Sequence, residues 1–324
     1  MPESHSFDES ILSKLEALQA KYAAMGQDLS SYLDGLLHAD YLTYWDYINL
    51  DTLLSLQHPI TPFPDEEIFI IYHQITELYF KLSLHEFRQI QHAEAMDSNV
   101  MLKRVKRINR YFEALTHSFE IMVDGMDKDQ FLKFRMSLLP ASGFQSAQYR
   151  MIEIHATSFD RLLKEQFREA SSDHTPGDLA SLFDKIYWKA GAVELSSGDK
   201  TLTLKQFEQK YDGELMALAE NCFDSNLRSF WTNLGPGQQT DELKTALRWL
   251  DVNVNINWPL SHYKSAVRYL QKNPEDIAAT GGTNWQKYLP PRFQKRIFYP
   301  ELWSAQEQAD WGKGWVEKEV FGLK

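Results

Sequence analysis

The sequence predicts an all-α protein built as a single large helical-bundle domain. Long stretches repeat their apolar residues with the 3.6-residue period of a helix, and strand-like alternation is confined to one short run. No segment has the length or composition of an interdomain linker. Of the 324 residues, 43% are hydrophobic and 13% aromatic, which is ample material for one large core.

Ile11, Leu12, Leu15, Leu18 and Tyr22 space an amphipathic helix over residues 9–25. Residues 1–43 are accordingly expected to form an N-terminal helical arm, and residues 44–324 the main domain. An aromatic segment over residues 41–56 (Tyr41, Tyr44, Trp45, Tyr47) ends at His58, Pro59 and the Pro-rich turn around Thr61, Pro62 and Pro64. Pro64 suits a first helical position, and Asp65, Glu66 and Glu67 place acids where they complement the helix dipole. The helix they open runs to about residue 95. Phe69, His73, Thr76, Glu77 and Phe80 share one side, while Ile68, Ile71, Tyr72, Ile75, Tyr79 and Leu82 line much of the rest. Apolar surface almost all round predicts a buried helix.

Val105, Ile108, Phe112, Leu115, Phe119 and Met122 carry a further helical pattern over residues 100–125. Residues 140–146 form a loop of turn formers, and helical spacing resumes at Ala147. Residues 171–178 and 196–201 read as loops. The strand-like run alternates Val252, Val254 and Ile256 with Asp251, Asn253, Asn255 and Asn257, but helical periodicity flanks it on both sides.

A net charge of −11 argues against nucleic-acid or anionic-membrane partners, because phosphate binding needs clustered Lys and Arg. The one basic cluster, Lys103 to Arg107, is interrupted at helical spacing and reads as a solvated helix face. Cys222 is the sole cysteine, so an intramolecular disulfide and a cysteine-based metal site are both excluded, and a reducing, cytoplasmic setting is expected. Neither a secretory leader nor a membrane-length apolar run is apparent.

Four features can carry chemistry. His73 sits mid-helix among apolar residues, where an imidazole is either a hydrogen-bonded core group or faces a cavity. His262 follows Pro259, which can start or kink a helix about one turn earlier; with no HxxxH partner it does not support tetrahedral zinc, but one histidine can hold haem iron. Its bland reading is a capped or surface residue. Phe131 and Arg135, four apart, put an aromatic wall beside a guanidinium that can bind a carboxylate bidentately, or simply pair with an internal acid. Thr280, Gly281, Gly282 and Thr283 form a small flexible loop without the phosphate-loop pattern.

Taken in this order, these pieces resemble the tryptophan 2,3-dioxygenase family of haem enzymes. The likeness runs from about Tyr44 to Trp303 and is strongest at residues 44–51, 69–82, 134–135 and 140–150. It implies that His73 is the distal, catalytic histidine that contacts the indole nitrogen, with Phe69 one turn before it. Arg135 would hold the substrate carboxylate beside Phe131, Thr280 the ammonium group, and Ser142 and Gly143 a loop close to haem and substrate. His262 would be the proximal iron ligand. Tyr44 and Ile48 match a pair that a neighbouring subunit contributes in family tetramers. The chain departs from the family at Trp258-Pro259-Leu260-Ser261, where members carry an Arg-rich stretch, and residues 155–250 resemble it only vaguely.

What the resemblance implies is a helical fold with a haem pocket that binds haem b (iron protoporphyrin IX) and takes O2 as co-substrate. The reaction would insert O2 across the indole C2=C3 bond of L-tryptophan to give N-formylkynurenine, in a homo-oligomer of tetrameric kind. The competing readings are a haem hydroxylase of another indole or aromatic amino acid, and a haem-free helical scaffold.

Overall fold

The structure, a computed structural model, describes residues 7–93, 97–138, 142–168, 175–193, 199–270 and 295–313. Among them there is no strand, and only two isolated β-bridges, Leu163 with Ile186 and Val193 with Lys200, interrupt an otherwise helical fold. The all-α expectation holds. None of the described helices is long and apolar enough to cross a membrane.

Two compact units divide the chain at Gln57 and His58. The first carries α1 (Glu9–Ala24), α2 (Leu29–Leu37), α3 (Tyr44–Tyr47) and α4 (Leu50–Leu53). Asp8 and Asp28 cap the first two helices by accepting from backbone N–H groups of Ser10, Ser30 and Ser31, and Tyr22 meets Tyr32 at 4.5 Å between ring centroids. None of its described residues is buried, and Leu36, Leu37, Tyr41, Tyr44, Trp45 and Tyr47 are all exposed.

The second unit is organised around α5 (Asp65–Gln91), which packs on α6 (Ser98–Ser118), α8 (Lys128–Phe134) and α9 (Ala147–Ala156). Two acids, the buried Glu66 and the partly exposed Asp65, position the start of α5. Glu66 accepts hydrogen bonds from the backbone N–H groups of Ile60 and Thr61 and from the Thr61 hydroxyl, which folds the Pro-rich turn onto the helix. Burial raises the pKa of this carboxyl, but these bonds outweigh it and hold it below its ordinary value. Asp65 accepts from the backbone N–H of Asp127, the residue that caps α8, while the backbone N–H of Asp65 donates to Gln130. The first turns of α5 and α8 are thereby tied together.

Helix α6 breaks at Phe119 into the short α7 (Glu120–Asp124), so the single helix expected over residues 100–125 is two. The basic cluster on α6 is more than a solvated face: Arg104 and Arg107 both pair with the buried carboxylate of Glu86 on α5, at 3.1 and 3.2 Å. The remaining α-helices among the described residues are α10 (Glu165–Arg168), α11 (Leu179–Leu182), α12 (Leu202–Asn221), α13 (Leu227–Asn233), α14 (Asp241–Val252), α15 (Trp258–Leu270) and α16 (Ala305–Ala309).

Two expectations are corrected. First, α5 is not buried all round. Ile71, Ile75, Leu78 and Leu82 are 39%, 36%, 48% and 44% exposed, because α6, α8 and α9 cover the opposite side, where Tyr72, Thr76, Phe80 and Leu84 are buried. Second, the alternating run at residues 252–257 is a π-helical turn, Asn253–Asn257, and no helix starts at Pro259: α14, the π turn and α15 follow one another without a gap. The alternation arises because four consecutive residues, Asn253 to Ile256, are buried whatever their polarity. The asparagine amides donate along a ladder, Asn255 to Asp251 (2.8 Å), Asn257 to Asn253 (2.9 Å) and Asn253 to Asn109 (3.2 Å), which leaves the buried Asn255 Oδ1 without a hydrogen bond among the described residues.

Candidate functional site

His73 on α5 and His262 on α15 are held in the same way. Each ring Nδ1 lies against the carbonyl oxygen four residues earlier: Phe69 O at 2.7 Å for His73, Trp258 O at 3.2 Å for His262. A carbonyl can only accept, so both Nδ1 atoms carry the proton. Burial pulls both imidazoles below their ordinary pKa, that of His262 to about 4, and both are therefore neutral near pH 7 with an unprotonated Nε2. Among the described residues neither Nε2 has a hydrogen-bond partner.

The two rings lie within range of each other's field, since charge on His73 would lower the pKa of His262 further, after burial. Each is half-buried, and desolvation dominates its titration.

Aromatic side chains from four elements surround the pair. Phe69 meets His73 at 4.1 Å with the rings tilted by 34°, and reaches Phe131 and Phe134 of α8 at 6.3 and 5.8 Å. Phe131 continues to Tyr269 of α15 at 4.8 Å. On the other side, His262 packs against Phe119 and the ring of Trp258, each at 4.4 Å, and Phe119 meets Tyr72 at 5.6 Å. Phe119 occupies the break between α6 and α7, so that break is what turns its ring toward His262. Such a wall keeps the local dielectric low, which is why both histidines stay neutral.

Arg135 begins the 3-10 turn Arg135–Leu138 at the end of α8, one helical turn from Phe131, and its backbone N–H donates to Phe131 O. The guanidinium is half-buried, and that burial lowers its pKa. A cation held at a cost in hydration beside an aromatic wall suits a carboxylate ligand.

Ser142 precedes a 3-10 turn, Gly143–Gln145, whose Gln145 both accepts from the Ser142 backbone N–H and donates to Thr203 O on α12. Gln148, one turn further, donates to both the backbone carbonyl and the carboxylate of Glu77, one turn beyond His73. The Ser142–Gly143 turn is thus anchored to α12 and reaches α5 through Gln148. Thr280 lies outside the described residues. Tyr44 and Ile48 belong to the first unit, where Tyr44 is exposed at the start of α3 and Ile48 at its end.

The sequence model of the family described as Tryptophan 2,3-dioxygenase matches residues 36–181. The chain is 30% identical to a tryptophan 2,3-dioxygenase of Pseudomonas aeruginosa over 274 residues, 81% of this chain and 88% of that one. The chain belongs to the tryptophan 2,3-dioxygenase family. A Bacillus thuringiensis tryptophan 2,3-dioxygenase is 30% identical over 83% of this chain and 95% of its own, and one from Pseudomonas fluorescens 29% over 83% and 92%.

In this member of the tryptophan 2,3-dioxygenase family, Phe69 contacts His73 and Phe131, Phe131 contacts Tyr269 on the helix that carries His262, and Arg135 follows Phe131 by one turn. Sequence reasoning gave no site role to Phe119, Tyr72 and Trp258, because a buried aromatic at helical spacing looks the same whether it faces the core or a recess.

Acid should destabilise the chain through its buried histidines. His155, stacked on Phe87 and 3.3 Å from the Cys222 sulfur, is also pulled down to about 4 by burial. The unfolded chain takes up that proton near 6.5 and the folded chain near 4, so stability is full above 6.5 and declines toward 4, by on the order of 3 kcal/mol per histidine at most. Asp251 acts in the opposite sense, since burial raises its carboxyl to about 6. The difference between the chain and His155→Gln isolates the histidine: urea midpoints measured from pH 7 to 4 should fall less steeply in the variant.

Proposed function

We propose that the chain is a haem-dependent dioxygenase that converts L-tryptophan to N-formylkynurenine. The observation that carries this reading is the pair of neutral, neighbouring histidines, each with Nδ1–H tied to its own helix and Nε2 left without a partner inside an aromatic wall. A histidine locked in that tautomer is a prepared ligand for iron. The donor set fits haem: a single imidazole, no cysteine nearby, and no cluster of three or more His, Cys, Asp or Glu among the described residues that could hold a free metal ion.

His262 would hold the iron through Nε2. Bound haem supplies the ferrous centre that activates O2 for addition to the indole ring. Arg135 would hold the carboxylate of the amino acid and Thr280 its ammonium group, so the indole C2=C3 bond is presented in one orientation, and such positioning can account for a large share of the rate. His73 accepts the indole N–H at Nε2, the atom its bond to Phe69 leaves free. It orients the ring without having to remove the proton. Phe69, Phe131 and Phe119 exclude water from the recess.

The test is an absorption spectrum of purified protein reconstituted with haem, with and without L-tryptophan under reducing conditions, together with near-ultraviolet detection of the ring-opened product. A Soret band that responds to tryptophan, with that product formed, is expected. Hydroxylated product in its place would establish the hydroxylase alternative, and no haem uptake the scaffold one.

The working assembly in this reading is a homo-oligomer, of tetrameric kind, in which Tyr44 and Ile48 are lent to the site of a neighbouring copy. Support comes from α5, where Ile71, Ile75, Leu78 and Leu82 form an exposed seam with the 4-3-4 spacing of helix pairing. Exposed Glu67 lies near one end of that seam and exposed Lys81 and Arg88 toward the other, so a second copy running antiparallel would bring acid to base. Light scattering should therefore give a multiple of 37.8 kDa, and Ile75→Lys combined with Leu78→Glu should reduce it. A fully active monomer at assay concentration would refute the assembly.

A further inference from the structure

We propose that Tyr149 is a positioning residue for His262: its hydroxyl supplies the hydrogen bond that Pro259 cannot give to the π turn beneath the histidine. The inference rests on the reading of His262 as the iron ligand and adds a residue that reading does not include.

In the π turn the backbone N–H of Trp258 reaches back five residues to the carbonyl of Asn253. The carbonyl of Val254 therefore loses its α-helical donor, which would have been Trp258. Its π-helical donor would be residue 259, and that residue is a proline with no N–H. Val254 is fully buried, so water cannot serve in its place. The hydroxyl of Tyr149 on α9 donates to this carbonyl at 2.8 Å. The same oxygen accepts from Nη1 of Arg296 at 3.4 Å, and Arg296 is itself fixed by Glu153 and the Tyr187 hydroxyl, each at 2.5 Å. Tyr149 is thus clamped before it reaches the turn.

A second contact runs through its ring. Tyr149 packs on Phe80 at 5.6 Å, and Phe80 meets Trp258 edge-on at 5.7 Å. Trp258 supplies both the carbonyl that holds His262 Nδ1 and an aromatic face against its ring. The π turn moves every later residue of α15 by one position relative to a continuous α-helix, so the direction of His262 depends on that turn persisting. Pro259 makes room for the turn by removing a donor, and Tyr149 restores the missing bond.

Tyr149→Phe keeps the ring and removes the donor. In the full chain without added haem, amide exchange at residues 255–262 should accelerate by roughly tenfold or more, while exchange in α6 stays unchanged. Haem affinity from Soret titration should fall with it. Adding Pro259→Ala returns a backbone N–H at position 259, and the double variant should recover both the local protection and the affinity. Unchanged local exchange, acceleration spread equally over α6, or no recovery in the double variant would each overturn the inference. Should Tyr149→Phe fail to fold, the double variant decides: recovery of the fold supports the role, and an equally unfolded chain rejects it. Exchange is read without haem, so a wild-type chain that takes up no haem overturns the functional reading alone. Normal haem uptake with unaltered exchange overturns this inference alone.

Discussion

Replacing His262 with alanine is expected to abolish stable haem binding, seen as loss of the Soret band after reconstitution and desalting. One proximal imidazole would be the sole protein bond to iron, and the ring is already neutral, oriented by Trp258 O and flanked by Phe119. Neither of two alternative histidines is placed to replace it. His155 is buried against Phe87 and the Cys222 sulfur, and His117 is exposed near the end of α6. Full Soret intensity with unchanged ligation in His262→Ala would sink the assignment and send the search to those two.

Arg135→Leu should leave the haem spectrum nearly intact yet lower kcat/KM for L-tryptophan by an amount equivalent to about 2 to 5 kcal/mol of transition-state stabilisation, because the substrate carboxylate would bind among phenyl rings without its counter-charge. The complementary experiment changes the substrate. Tryptamine lacks the carboxylate and should be turned over far more slowly than tryptophan by the unaltered enzyme, since Arg135 would be left without the group it is placed to bind. His73→Ala should lower the rate without abolishing it, as suits a residue that orients the indole. Equal turnover of tryptamine and tryptophan would place the carboxylate site elsewhere.

Legibility in the sequence followed the range of the interactions. The acids of the first turn of α5, the spacing of Val105, Ile108, Phe112 and Leu115, and the turn formers before Ala147 act over a few residues, and the helices they imply are there. The chemistry of His73, Arg135 and His262 was suggested by residue type and family likeness. Neither states which ring nitrogen carries the proton. That depends on the Phe69 and Trp258 carbonyls, and the tautomers follow from helix geometry once the rings are in place.

The π turn shows where local reasoning stops. Alternation of Val and Asn over residues 252–257 reads as a strand by period alone, but each asparagine finds its partner through packing: Asn109 on α6, Asp251 one turn back, and Asn253 itself. Asp251 in turn binds the backbone of Phe298 and Tyr299, nearly fifty residues away. The exposed seam on α5 is a similar case. The sequence shows apolar residues almost all round that helix, and only the number and placement of its neighbours decide which side stays uncovered.

By itself, then, the sequence determined the helical class, the segments that become helices, the family and the residue types of the candidate site, because backbone preference, periodicity and side-chain chemistry are local properties of the chain. The tertiary structure alone decided that aromatic rings from α5, α8 and α15 pack around His73 and His262, that Phe119 meets His262 from the break between α6 and α7, and that the Tyr149 hydroxyl meets the Val254 carbonyl. Each of these depends on side chains far apart in sequence meeting in a low-dielectric interior, where an unmet hydrogen bond or a buried charge costs most and therefore selects one arrangement.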